Sequence, residues 1–187
     1  MNRPFSDTPP SPWVCRFAPL IPPAGEVLDL ACGPGRHARH LAGLGYRVEA
    51  VDRDEALLAG LSGVPGVGTR RADLEGGAWP YYGRQFEGIV VTNYLWRPLL
   101  PSLMASLAEG GILIYETFMV GNERFGSPSK PQFLLRHGEL LDLMHRRFNV
   151  VAFEQGEVAK PRPAVVQRIC VSRGRDFRLP ESVAPAD

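Results

Sequence analysis

The patterning of the chain predicts an α/β fold on a mostly parallel sheet, and three observations carry the prediction. Short apolar runs alternate with helical segments from residue 26 to 115. The first run ends in a glycine turn, Cys32-Gly33-Pro34-Gly35, that opens onto a helix. The last two runs, 149–153 and 164–171, are joined by a link too short and too proline-rich for a crossover helix, so they must pair antiparallel as a hairpin. At 187 residues the chain is little more than one domain long.

Residues 1–25 read as an extended N-terminal arm, broken by prolines at 4, 9, 10, 12, 19, 22 and 23, with Trp13, Val14 and Phe17 giving it an apolar side to dock. The organised part, 26–173, begins with a strand over 26–30 and a helix from 36 that carries Ala38, Leu41, Ala42 and Leu44 and stops at Gly45. A strand over 47–51 ends at Asp52, and Asp54 caps a helix running to 61. Strands follow at 67–71 and 86–92, then a helix at 99–108 ended by Gly110-Gly111, and a strand at 112–115. The helix at 138–147 precedes the hairpin, and a flexible tail is expected over 174–187. Strands that alternate with helices imply crossover units and parallel pairing.

Composition excludes several classes. A 44% hydrophobic share rules out a disordered chain. A net charge of +1 gives no general electrostatic footprint for nucleic acid or an acidic membrane, and no apolar run spans a bilayer or forms a signal peptide. Cys15, Cys32 and Cys170 make neither a disulfide framework nor a metal cluster, so no metal is expected and the compartment read from the sequence is the cytoplasm.

Gly33-Pro34-Gly35-Arg36-His37-Ala38 fits G-x-G-x-x-[GA] after a strand and at the start of a helix. Such a loop lets backbone approach a ligand and aims helix N–H groups at it. Asp52, at the end of the second strand, is placed to accept hydrogen bonds from both hydroxyls of a ribose. Together they mark an adenosine site without choosing the cofactor. Asp29 bears on that choice, because dinucleotide sites carry apolar residues at its position, whereas a carboxylate suits a ligand with an ammonium group. A side chain at Gly35 is expected to enter the ligand's space.

Val27-Leu28-Asp29-Leu30-Ala31-Cys32-Gly33-Pro34-Gly35 resembles motif I of class I S-adenosylmethionine-dependent methyltransferases. The resemblance implies a Rossmann-like seven-stranded sheet with helices on both faces and the last strand antiparallel. It implies S-adenosyl-L-methionine as cofactor and S-adenosyl-L-homocysteine as product. Asp29 and the backbone at Gly33 and Gly35 would then serve the methionine moiety, Asp52 the ribose, Arg53 one side of the adenine, and Asp73 with Leu74 its amino group. Asn93 and Tyr94 would line the donor-methyl region. Ala31 stands where the family has its first motif glycine, a change that adds a methyl group and narrows the turn. Tyr115-Glu116-Thr117-Phe118 and Gly121-Asn122-Glu123-Arg124-Phe125-Gly126 further resemble small stand-alone bacterial methyltransferase-domain proteins, some likened to tellurite-resistance methyltransferases.

Methyl transfer from a sulfonium needs alignment and exclusion of water more than acid–base chemistry, so the acceptor is less legible than the cofactor. Tyr94 and Glu116 are the catalytic candidates. Trp96, Arg124, Lys130 and His137 are acceptor-side candidates, with Trp13 either packing in the core or closing over the cofactor. The long segment 119–135 reads as a mobile lid hinged at Gly121 and Gly126, its basic residues able to hold an anionic acceptor. No Asn-Pro-Pro-Tyr motif follows the fourth strand, which disfavours methylation of exocyclic or amide nitrogens in DNA or protein. A small-molecule acceptor is expected, with no nucleic acid or membrane partner; the residues specify no oligomeric state. An NAD-type Rossmann oxidoreductase and a non-catalytic adenosine-cofactor-binding protein stay open as alternatives.

Overall fold

Val27, Leu28 and Leu30 are all buried although they alternate in direction along one strand, the signature of a strand covered on both faces. The computed structural model describes residues 8–174 and shows what covers it. Its strands are β1 (Glu26–Leu30), β2 (Arg47–Asp52), β3 (Val67–Arg71), β4 (Phe86–Thr92), β5 (Leu107–Phe118), β6 (Asn149–Val158) and β7 (Ala164–Ser172). They form one seven-stranded sheet in the order β3-β2-β1-β4-β5-β7-β6. The first five strands pair parallel, and β7 lies antiparallel between β5 and β6. The expected Rossmann-like sheet with an antiparallel C-terminal hairpin is the one observed. The tail expected over 174–187 lies, Gly174 apart, outside the described residues, as do residues 1–7.

One face is covered by α1 (Pro12–Phe17), α2 (Arg36–Gly43) and α3 (Glu55–Ala59), which bury Trp13, Phe17, Leu41 and Leu58 against Val27, Val48, Val90 and Ile114. The other is covered by α4 (Leu100–Ala105) and α5 (Glu139–Met144), which bury Leu103, Leu140 and Met144 against Leu28, Ile89, Leu113 and Val171.

Three local expectations are corrected. The N-terminal segment is not an extended arm: it forms α1, with Ser11 as N-cap accepting from the Trp13 N–H and Pro12 in the first turn. Proline breaks a helix interior but costs nothing at the first helical position, where its missing N–H has no partner to lose. The helix expected over 99–108 ends at Ala105, and β5 begins at Leu107 instead of 112, because Leu107 pairs with Phe86 across a bulge. Third, the segment 119–135 is tied at both ends. The Val120 N–H donates to Leu135 O and the Leu135 N–H to Phe118 O, while buried Asn122 accepts from Val165 N and donates to Pro128 O. The Arg97 guanidinium donates to Gln132 O and Leu134 O and grips Glu139 at 2.6 and 2.9 Å. These bonds tie both ends of the segment to the sheet and α5, and residues 123–127 between them are exposed.

Glu139 is 4% exposed and accepts from both Arg97 and the Arg136 N–H, so its carboxylate is held below its ordinary pKa against the cost of burial. Arg97→Met should lower stability by about 2–4 kcal/mol in urea unfolding, because it strips a buried carboxylate of its main cation. Hydrogen exchange at 132–135 should rise with it; an unchanged exchange rate there would show that Arg97 does not hold the segment.

Candidate active site

The strand order reverses direction between β1 and β4, and ligands of open α/β sheets bind outside the carboxyl ends of the strands at such a point. Leu30 is in register with Val51 of β2 and Val91 of β4, which brings the three strand ends level. Between β1 and α2 the chain turns in five residues, with Ala31, Gly33 and Gly35 at φ 51°, 55° and 79°. Ala31 carries a Cβ in the left-handed region, at a cost of about 1–2 kcal/mol that glycine would not bear. The loop is pinned by the Cys32 N–H to Val51 O and the Gly33 N–H to Asp52 Oδ2, at 3.0 and 2.8 Å. The other Asp52 oxygen accepts from the Asp54 N–H at 3.0 Å.

The two glycines differ. A Cβ built on Gly33 meets nothing within 4 Å, so this residue borders open space. At Gly35 it lies 2.7 Å from Cγ of Leu61, a fully buried core residue. The expectation that a side chain at Gly35 would invade ligand space is therefore corrected: it would invade the core between α2 and α3.

Asp29 projects from β1 toward the first turn of α2 and is 1% exposed. It accepts from the Ala38 N–H, but its Oδ2 is buried with no hydrogen-bond partner. Desolvation pushes its pKa up to about 7, against the opposing pull of the Ala38 N–H and Arg36. Beside it His37 is held neutral by burial, its pKa pushed down to about 3 with Arg36 and His40 adding to the effect. His37 Nε2 accepts from the Ser11 N–H at 3.1 Å, which leaves the proton on Nδ1, 3.3 Å from Thr92 Oγ1. Arg36 donates to Pro9 O at 3.3 Å. Residues 9–11 are thereby fastened to the start of α2 and the end of β4.

Two cavities open at the strand ends. One, of about 170 Å³, is lined by Ala31, Asp52, Arg53, Asp73, Leu74 and Tyr94, together with Ala72 and Glu75. The other, of about 260 Å³, is lined by Asn93, Tyr94, Leu95, Thr117, Phe118, Ser127, Pro128 and Phe133, again with Glu75. Glu75 and Tyr94 border both. The Tyr94 hydroxyl is buried without a partner, and burial with the nearby Glu75 and Asp73 carboxylates raises its pKa.

Other candidates lie elsewhere. Glu116 is buried in an ion pair with Arg168 at 2.6 Å and lines neither cavity. Trp13 is a core residue, 3% exposed, with its ring edge against Phe17 and its indole N–H toward Ile169 O, so it does not close over a ligand. Trp96 packs against the core, and Arg124 pairs with Glu157 at 3.0 Å. Lys130 and His137 are exposed and also line neither cavity. Sequence reasoning passed over Arg36 and Glu75. Both had a signal: Arg36 opens the helix after the glycine loop, and Glu75 lies two residues beyond Asp73. Phe133 had none, since only the return of the 119–135 segment brings it to the cavity. Among the described residues no group of three His, Cys, Asp or Glu side chains is placed to hold a metal, and no helix is long and apolar enough to cross a membrane.

The fold is the class I S-adenosylmethionine-dependent methyltransferase fold, of the TehB type. Residues 11–68 match the model of the family described as Tellurite resistance protein TehB. A protein-L-isoaspartate O-methyltransferase of Chlorobaculum tepidum is 35% identical over 138 residues, covering 70% of this chain and 59% of that one. TehB from Haemophilus influenzae superimposes with a TM-score of 0.71 at 21% identity, over 90% of this chain and 64% of that one. The N-methyltransferase NodS from Bradyrhizobium japonicum gives 0.66 at 14% identity, over 87% and 93%. The chain thus spans about six-tenths of the length of the first two, at 59% and 64%.

Gly35→Ala should cost about 2–4 kcal/mol of stability, from left-handed strain plus overpacking against Leu61. Gly33→Ala should cost only the strain, about 1–2 kcal/mol, and its harm should fall on ligand binding. Equal destabilisation of the two variants in urea would refute the distinction.

Asp29 and His37 oppose one another in acid. Asp29 has a folded pKa near 7 against an ordinary 3.8, so the stability it contributes is complete below 3.8 and is lost as pH rises through 7. His37, near 3 against 6.5, contributes stability that is present above 6.5 and lost as pH falls toward 3. Between about pH 4 and 6.5 their slopes, each at most about 1.4 kcal/mol per pH unit, cancel. Asp29→Asn should therefore lose stability on acidification more steeply than the parent, and His37→Gln should gain it. Parallel pH profiles for all three proteins would contradict both assignments.

Proposed function

We propose that this chain is an S-adenosyl-L-methionine-dependent methyltransferase acting on a small molecule. The observation that carries the proposal is the buried, unpartnered Asp29 Oδ2 beside Arg36, at the first turn of α2. A carboxylate with a spare acceptor next to a guanidinium matches an amino-acid zwitterion: Asp29 for the ammonium, Arg36 for the carboxylate. A dinucleotide offers neither group, so the oxidoreductase reading leaves Asp29 unexplained. The open side of Gly33 admits the ligand against the loop backbone. Asp52, already ordered by two backbone donors, keeps lone pairs for ribose hydroxyls. Arg53, Asp73 and Leu74 would border the adenine, and Tyr94 and Asn93 the donor-methyl end.

When bound, the cofactor supplies an electrophilic methyl group on a sulfonium. The chain's part is to orient and to exclude water: Tyr94 and Leu95 present a dry wall, and the pinned 119–135 segment closes the acceptor side. Glu116, held by Arg168, then serves the scaffold, and the Arg36 guanidinium feels its charge. The curated and structural relatives include a protein-L-isoaspartate O-methyltransferase, an N-methyltransferase and a glycopeptide N-methyltransferase, which supports methyl transfer without selecting the acceptor. Three unpaired cysteines accord with a reducing cytoplasm.

Calorimetry should show binding of S-adenosyl-L-homocysteine and none of NAD. Binding an ammonium next to Asp29 stabilises its ionised form, so affinity should rise from pH 6 to 7.5 by up to about tenfold per pH unit below 7, then level off. Asp29→Asn should weaken binding by at least about tenfold and flatten that profile, as expected for loss of a charged partner. NAD binding in place of the homocysteine compound would reverse the assignment.

A further inference from the structure

We propose that the second cavity takes a small amine, held as its ammonium by Glu75 and packed against the rings of Phe118 and Phe133. The inference rests on the methyltransferase reading and adds the class of acceptor. It starts from where the charges of this region have gone. Three arginines around the cavity are engaged elsewhere, Arg97 and Arg136 on Glu139 and Arg124 on Glu157, and Lys130 is exposed and off the lining. Arg162 lies over the Phe118 ring at 5.5 Å from its centre and donates to Ser127 O at 3.5 Å, but it is not on the lining. Among the described residues the lining carries one charged group, the Glu75 carboxylate.

The neighbouring charges point the same way. Around the Tyr94 phenol, which the two cavities share, Glu75, Asp73 and Asp52 outnumber Arg53. An oxyanion entering here meets like charge with no cation on the lining, whereas an ammonium gains a carboxylate and aromatic faces. The volume of about 260 Å³ admits a small amine with an apolar substituent. Tyr94 and Glu75 border both cavities, so an amine on Glu75 stands next to the donor-methyl region. In the transfer, the bound ammonium gives one proton to Glu75 and thence to water. The freed nitrogen lone pair forms the N–C bond as the S–C bond breaks, its electron pair stays on sulfur, and the product leaves as an ammonium.

The test uses the whole chain saturated with S-adenosyl-L-homocysteine, its binding first confirmed by calorimetry. 2-Phenylethylamine, 3-phenylpropanoate and selenite are then titrated in. The amine should bind at least tenfold tighter than the carboxylate, and Glu75→Gln should cut that ratio at least fivefold. Glu75 is exposed, so its substitution should leave the urea unfolding curve unchanged. With S-adenosyl-L-methionine, mass spectrometry should show one methyl added to the amine. Tighter binding of phenylpropanoate or selenite, or no binding of the amine to the loaded protein, overturns the amine assignment and leaves the methyltransferase reading standing. Failure of S-adenosyl-L-homocysteine itself to bind overturns the parent reading instead.

Discussion

A carboxylate that water cannot reach governs the ligand end of the sheet. Asp29 is buried on the penultimate residue of β1, takes one hydrogen bond from the first turn of α2, and leaves its second oxygen without a partner. Unsatisfied buried acceptors cost free energy, more so when charged, and the fold offsets this with the Ala38 N–H and with Arg36 nearby. For that amide to point at Asp29, the chain must reverse from strand to helix within five residues. That demand puts Ala31, Gly33 and Gly35 in the left-handed region, where Ala31 alone bears a steric cost.

Asp52 carries the second constraint. Parallel pairing of β1 with β2 sets its carboxylate beside the glycine loop, where it holds the Gly33 N–H and the turn into α3 together. It is thus part of the loop's architecture before it can be part of any ligand's. His37 does the same on the other side, joining residue 11 to β4 through an imidazole kept neutral by burial. The helix α1 consequently shares a core with α2 and β1.

Around the second cavity, the scaffold claims most of the charges. The segment returning from β5 to α5 is long, and long segments need anchors; Arg97, Arg136, Glu139 and Asn122 supply them. Using arginines for that purpose leaves a cavity whose charge is set by Glu75. The chain resembles TehB in its first third and in its fold, yet the wall of the second cavity follows from how this segment is tied, which motif I does not encode.

What the sequence by itself determined is the topology and the loop that joins β1 to α2. Strand and helix periodicities, the Gly33–Gly35 turn, Asp29 and Asp52 are local signals, and local sterics and register suffice to place them at one sheet edge. The short proline-rich link before residue 164 likewise left the hairpin no other pairing. Only the tertiary structure decided which glycine borders open space and which faces Leu61, because the two differ in what packs behind them and not in backbone freedom. It alone turned the proline-studded N-terminus into a buried helix, since Pro12 is harmless only at a position that packing against Phe17 and Ile169 selects. It alone decided the fate of the arginines and of Glu116. A charge's role depends on the partner within a few ångströms, and those partners, 33 to 52 residues away in the chain, are brought near by the sheet and not by any motif.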